Sequence, residues 1–202
     1  TNTFTGTLTD NSVTALVGLM KGPGTGIWTV NPTTPLINTG ATKIFGGTLR
    51  LGKDDALSTF APLQFGDSTT VLATFTGTLD MASFNQTVPS LTVRSNTTTP
   101  NTLIINPGKT LTVTGDVGIG SAPNSTATTL FVATGGGSMV VNNPAVNGLF
   151  LVGFTTATTG IGARSTADLS GLSNLTINLD PGTGIVRVSP NGANNVNDRY
   201  ST

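Results

Sequence analysis

All nine acidic side chains of this chain are aspartates, and they are its main candidates for acid–base or metal chemistry. Only Asp54 and Asp55 are adjacent. Neighbouring residues of a strand point to opposite faces, so this pair is a poor carboxylate dyad and reads as a solvated turn. Asp116, Asp168 and Asp180 lie in or beside Gly-rich stretches, where an Asx-turn accounts for each better than a metal ligand does. A polysaccharide lyase or hydrolase needs clustered carboxylates, often with Ca²⁺ and a basic residue, and the aspartates are scattered from Asp10 to Asp198. With no His and no Cys, the base for a nucleophile would fall to Lys or Asp. The motif Gly-x-Ser-x-Gly does not occur, and the Gly-x-Gly runs at Gly22–Gly26 and Gly118–Gly120 lack the strand–helix setting of a phosphate site. The Ca²⁺-binding nonapeptide pattern is absent too, since Gly135-Gly136-Gly137 is followed by no Asp. The expectation is a chain without catalytic residues, metal or cofactor, and not an enzyme.

The elements that would carry any site are strands. Charged residues make up 9% of the 202 residues, against about 25% in an average soluble domain. Formal net charge is zero and the nine basic residues are dispersed, so nothing recruits nucleic acid. Thr is the commonest residue, with 26 Gly and 11 Pro as punctuation. Branched Thr and Val favour pleated strands. The longest apolar run, Gly148 to Phe154, falls far short of the ~18 residues of a membrane-spanning helix. Lack of Cys excludes a disulfide framework and fits an exported chain. The absence of an initial Met and of a leader is consistent with processing, excision or membership of a longer chain.

Short strand patterns separated by turns recur throughout. The most informative stretch runs from Gly46 to Leu91. Its two ends, GGTLRLG and GTLDM, are one type of unit repeated after roughly thirty residues, within the range of solenoid repeats. Strands of about five residues with turns every 8–12 fit a sandwich, a barrel or a parallel β-helix. Asn-Gly occurs at Asn147-Gly148 and Asp-Gly never does, so two-residue hairpins are few and self-similarity favours the helix. The fold expected is all-β, a right-handed parallel β-helix (β-solenoid) of about nine rungs of 20–25 residues each, with a β-sandwich as the alternative. Residues 1–190 would form the solenoid and 191–202 a polar tail that either dangles or pairs with a neighbouring subunit. Core ladders are expected from Leu49, Leu51, Leu79, Leu91, Ile104 and Leu111, and from Val113, Leu130 and Val132. Thr-x-Thr runs at Thr5–Thr9 and Thr110–Thr114 evoke the water-ordering ladders of some ice-binding solenoids. Two runs do not make a continuous ladder, and Thr is favoured on exposed strands in any case.

Several segments resemble the autotransporter-associated β-strand repeats of bacterial surface proteins. The matching residues are Thr5-Gly6 with Thr9-Asp10, then Leu19 to Val30 (LMKGPGTGIWTV), Thr42 to Leu57 (TKIFGGTLRLGKDDAL) and Leu79 to Leu91 (LDMASFNQTVPSL). Ser165 to Val188 is a looser variant. Pro23 and the Asn31–Pro35 turn depart from the family pattern, in places where turns tolerate Pro. The resemblance implies an extracellular or cell-surface location and a structural role as a unit of a surface fibre or passenger. A solenoid has two open ends with unpaired backbone groups, and no amphipathic capping helix is evident at either terminus. The expected partners are therefore copies of the chain itself, joined head to tail into a filament. Phe4, Thr5, Gly6, Thr7, Leu8 and Thr9 of one copy would pair with Ile185, Val186, Arg187 and Val188 of the next. The alternative is an adhesin passenger that engages a host or matrix surface, with a cell-surface or matrix polysaccharide as partner.

Overall fold

A computed structural model describes residues 1–66, 74–120, 128–153 and 164–188. Eighteen strands and no helix occur among them. They lie in three sheets, and every pairing is parallel, which excludes the antiparallel β-sandwich and gives a β-solenoid architecture. Sheet A stacks β1 (Asn2–Phe4), β3 (Ile27–Val30), β5 (Gly47–Leu51), β7 (Gly77–Asp80), β10 (Asn101–Ile104), β13 (Thr128–Thr134) and β16 (Arg164–Asp168). Sheet B stacks β2 (Leu19–Lys21), β4 (Thr42–Ile44), β6 (Leu63–Gly66), β9 (Leu91–Arg94), β12 (Val117–Ile119), β15 (Leu149–Val152) and β18 (Ile185–Val188). The smaller sheet C holds β8 (Gln86–Val88), β11 (Thr110–Val113), β14 (Ser138–Asn143) and β17 (Asn174–Leu179). About nine rungs were expected; sheets A and B carry seven strands each among the described residues.

The thirty-residue repeat is a direct neighbour relation. Gly47, Thr48, Leu49 and Arg50 stack on Gly77, Thr78, Leu79 and Asp80, and the Arg50 Nε donates to Asp80 Oδ2 at 2.8 Å across thirty residues. With Arg50 42% exposed, this ion pair contributes at most about 1 kcal/mol. Successive rungs differ in length: bonds between them join residues 20 apart at Ser58–Asn38 and 36 apart at Asn147–Thr183. Asn147-Gly148 makes no hairpin. Asn147 takes a left-handed φ of 64° at the corner between β14 and β15.

Inward side chains stack in columns, the parallel counterpart of cross-strand pairing. Leu49, Leu51, Leu79, Leu91, Leu111 and Val113 are buried, as the alternation predicts. Ile104, Leu130 and Val132 are not: they point outward, while Leu103, Ile105, Phe131 and Ala133 fill the core. The run Leu130-Phe131-Val132-Ala133 is apolar in both phases, so its pattern cannot choose a face. Backbone pairing of Asn101 with Phe131 and of Leu103 with Ala133 chooses it, and a one-residue slip reverses every side chain. Large and small residues alternate across the interior. A Cβ on Gly77 of sheet A would come within 2.5 Å of Ile44 Cγ2 of sheet B, so Gly there makes room for the facing side chain.

Candidate functional site

No cluster of three or more acidic, His or Cys side chains occurs among the described residues, and the candidate site is the two ends of the stack. At the N-terminal end, β1 and β2 are the edge strands of sheets A and B. Only Phe4 of the segment Phe4–Thr9 belongs to a strand. Thr5, Gly6, Thr7 and Thr9 are exposed, and Leu8 is half-buried against the core. The carbonyls of Phe4, Thr5 and Leu8 already accept from the Asn31, Thr33 and Ile37 N–H groups of the second rung. Trp28 stacks between Asn2 and Leu49 yet stays 41% exposed, because little covers it beyond β1.

At the other end, β16, β17 and β18 are the edges of the three sheets among the described residues. Ile185, Val186, Arg187 and Val188 form β18 and are all exposed. Val186 and Val188 continue the inward columns of Phe150 and Val152 with nothing stacked beyond them among the described residues, and they are 59% and 52% exposed. Beside them lies an open cavity of about 610 Å³ lined by Phe150, Val152, Ala167, Leu169, Leu175 and Val188, among others. The expected direct pairing of Phe4–Thr9 with Ile185–Val188 needs correction, because β1 belongs to sheet A and β18 to sheet B. A copy that continued both sheets would set its β1 against β16 and its β2 against β18. The tail 191–202 lies outside the described residues.

Polar side chains hold the irregular N-terminal segment. Asp10 accepts from the Val17 N–H at 2.7 Å, from the Thr39 N–H at 2.9 Å and from the Thr39 hydroxyl at 2.6 Å. Chiefly the Thr39 hydroxyl, then the Val17 amide, holds its carboxyl below the ordinary 3.8. A lowered folded-state pKa means these bonds stabilise the fold fully above the unfolded value. That stability is lost as pH falls through the folded value. Amide hydrogen exchange at Val17 and Thr39 should therefore be slow and flat with pH corrected to neutral, and should speed up only below about pH 4. In Asp10→Ala, which leaves neither amide an acceptor there, both should exchange fast at every pH.

The open edge of sheet C is closed in a similar way. Here β8 has no strand neighbour on its N-terminal side, and side chains substitute for one. The buried Gln86 amide accepts from the Leu57 N–H at 3.0 Å and donates to the Leu57 carbonyl at 3.2 Å. Asp54 accepts from the Asn85 N–H at 2.6 Å and Asp55 from the Thr87 N–H at 2.7 Å. The Asp54-Asp55 turn is therefore a rung-to-rung clasp, in which Asp55 takes a left-handed φ of 46°. Asp168 and Asp180 do form Asx-turns, to the Ser170 and Gly182 amides. Asp116 instead accepts from Leu149 N–H and Asn143 Nδ2 in the next rung. Buried Gln86 and Asn101 had no sequence signal beyond a polar residue at an inward strand position.

No group of three or more acidic, His or Cys residues able to hold a metal occurs among the described residues. No helix there is long and apolar enough to cross a membrane. Thr5–Thr9 is not a strand, and the threonines that stack across rungs make short files, Thr48–Thr78–Thr102 in sheet A and Thr87–Thr112 in sheet C. Compared with protein-family models, curated proteins and solved structures, the chain matches none.

Proposed function

We propose that this chain is a non-enzymatic structural unit, a right-handed β-solenoid of a bacterial cell-surface fibre or passenger, that assembles head to tail. Right-handedness follows from the strong preference of parallel crossovers. The surface location rests on the repeat resemblance carried by Thr42–Leu57 and Leu79–Leu91. What most supports assembly is the C-terminal edge of the described residues, where the inward Val186 and Val188 and the adjoining cavity border the core with no described rung stacked on them. The chemistry best suited to such an end is another rung of the same kind, entering as β1 on β16 and β2 on β18. Such a contact is heterologous, so it propagates rather than closing, and main-chain bonds supply the affinity as in strand addition.

Negative-stain electron microscopy over a concentration series tests this reading. Filaments are expected, with an axial repeat of about 34 Å for seven strands at ~4.8 Å each, and Val186→Asp with Val188→Asp should leave short rods. Monodisperse rods from the unaltered chain at every concentration would refute it.

A further inference from the structure

The spacing of the rungs singles out an occupant for the open edge of sheet C. One column of sheet A runs Asn2–Trp28–Leu49–Leu79–Leu103–Ala133. Leu169 continues it, since Asp168 before it pairs with Val132. One column of sheet B runs Leu19–Thr42–Leu63–Leu91–Val117–Phe150–Val186. From the first column to the second the chain advances 14 residues in the second and third rungs, Trp28 to Thr42 and Leu49 to Leu63. It advances 17 in the last two described rungs, Ala133 to Phe150 and Leu169 to Val186, and these carry the six-residue strands β14 and β17 of sheet C. The first rung, Asn2 to Leu19, also advances 17. It has the arc of a rung with a sheet C strand, yet no strand lies between β1 and β2.

Equal arcs superpose the first rung of one copy on the last described rung of another, residue for residue. With Asn2 on Leu169 and Leu19 on Val186, the triplet Thr7-Leu8-Thr9 falls on Asn174-Leu175-Thr176. The side chains agree with this register. Leu8 prolongs the inward column Leu111–Met139–Leu175, and Thr9 the outward column Thr112–Val140–Thr176. The same triplet, Thr110-Leu111-Thr112, already forms part of β11. Leu175 is inward yet 37% exposed, while Leu8 is half-buried against its own core. The Leu8 carbonyl accepts from Ile37 N–H of the second rung. Strand alternation turns the Thr7 and Thr9 main-chain groups the other way, and none of these groups has a hydrogen-bond partner among the described residues.

We infer that Thr7–Thr9 is a latent strand of sheet C, completed only by β17 of the preceding copy. This rests on the head-to-tail reading and adds to it the occupant of the third sheet edge. All three sheets then cross the junction, and β17 is left with no unpaired edge. Ordering of the segment is a strand addition, in which main-chain bonds give affinity and Leu8 over Leu175 gives register.

The chain has no Cys, so paired substitutions report the register directly. Thr7→Cys combined with Asn174→Cys changes two exposed positions at opposite ends of the stack, so a bond between them joins copies. Adjacent strands set such partners ~4.8 Å apart, within disulfide reach, and oxidation should give a ladder of oligomers on a non-reducing gel. Thr7→Cys combined with Arg187→Cys offers β18 instead and should give no ladder. In the unaltered chain, exchange of the Thr7 and Thr9 amides should slow about tenfold or more on assembly. Filaments in the microscope that lack the cross-link to position 174, or lack the added protection, overturn the latent strand and leave head-to-tail assembly standing. A ladder through position 187 overturns the register. No filaments at any concentration overturns both readings.

Discussion

Phe131→Ala should destabilise the solenoid by about 3–5 kcal/mol, the usual cost of truncating a buried Phe. Phe131 is inward on β13, wholly buried, between Asn101 and Ala167 in its column. Neither neighbour can swell to fill the void, because both are held by the rung register and Asn101 is occupied by Gly77 N–H and the Ser95 hydroxyl. Its ring meets Phe65 of sheet B edge-on, with centroids 5.7 Å apart and planes at 61°. Phe65→Ala should cost a similar amount. The double variant should cost less than the two combined, by roughly 0.5–1.5 kcal/mol, since each ring is the other's aromatic partner. Equilibrium urea unfolding of the four chains measures this, and full additivity would mean that the rings do not support each other.

The second large effect is expected at the turn between β13 and β14. Gly135 has φ of 102°, a conformation that side chains rarely adopt, and a Cβ there would lie 2.5 Å from the Ile105 carbonyl oxygen. Gly137 has an ordinary φ, but a Cβ would press on Ile105 and lie 2.6 Å from the Asn106 carbonyl oxygen. That close approach lets Gly137 N–H donate to the Ile105 carbonyl at 2.7 Å. Gly135→Ala should therefore cost about 2–4 kcal/mol through strain and overlap, and Gly137→Ala about 1–3 kcal/mol through overlap alone. Gly136 has φ of 78° with only Pro107 Cγ near, at 3.5 Å, so Gly136→Asn should cost about 1 kcal/mol or less. Thermal unfolding of the three variants should rank them in that order. Equal losses at Gly135 and Gly136 would mean that backbone conformation, and not approach to the lower rung, sets the cost.

The amino-acid sequence by itself determined the all-β character and the repeated unit. Branched Thr and Val with few helix-supporting charges leave strands as the favoured local state, and GTLRL and GTLD carry the same alternation, so they become neighbours in one sheet. It also determined the turn at Gly135–Gly137, since three glycines interrupt any strand. Tertiary structure alone decided which face each ambiguous strand buries. In Leu130–Ala133 both phases are apolar, and only pairing with Asn101–Ile104 turned Phe131 inward and Leu130 outward. It decided likewise that Asp10, Asp54 and Asp55 bind amides of other rungs, because such contacts join residues some thirty positions apart that no local pattern relates.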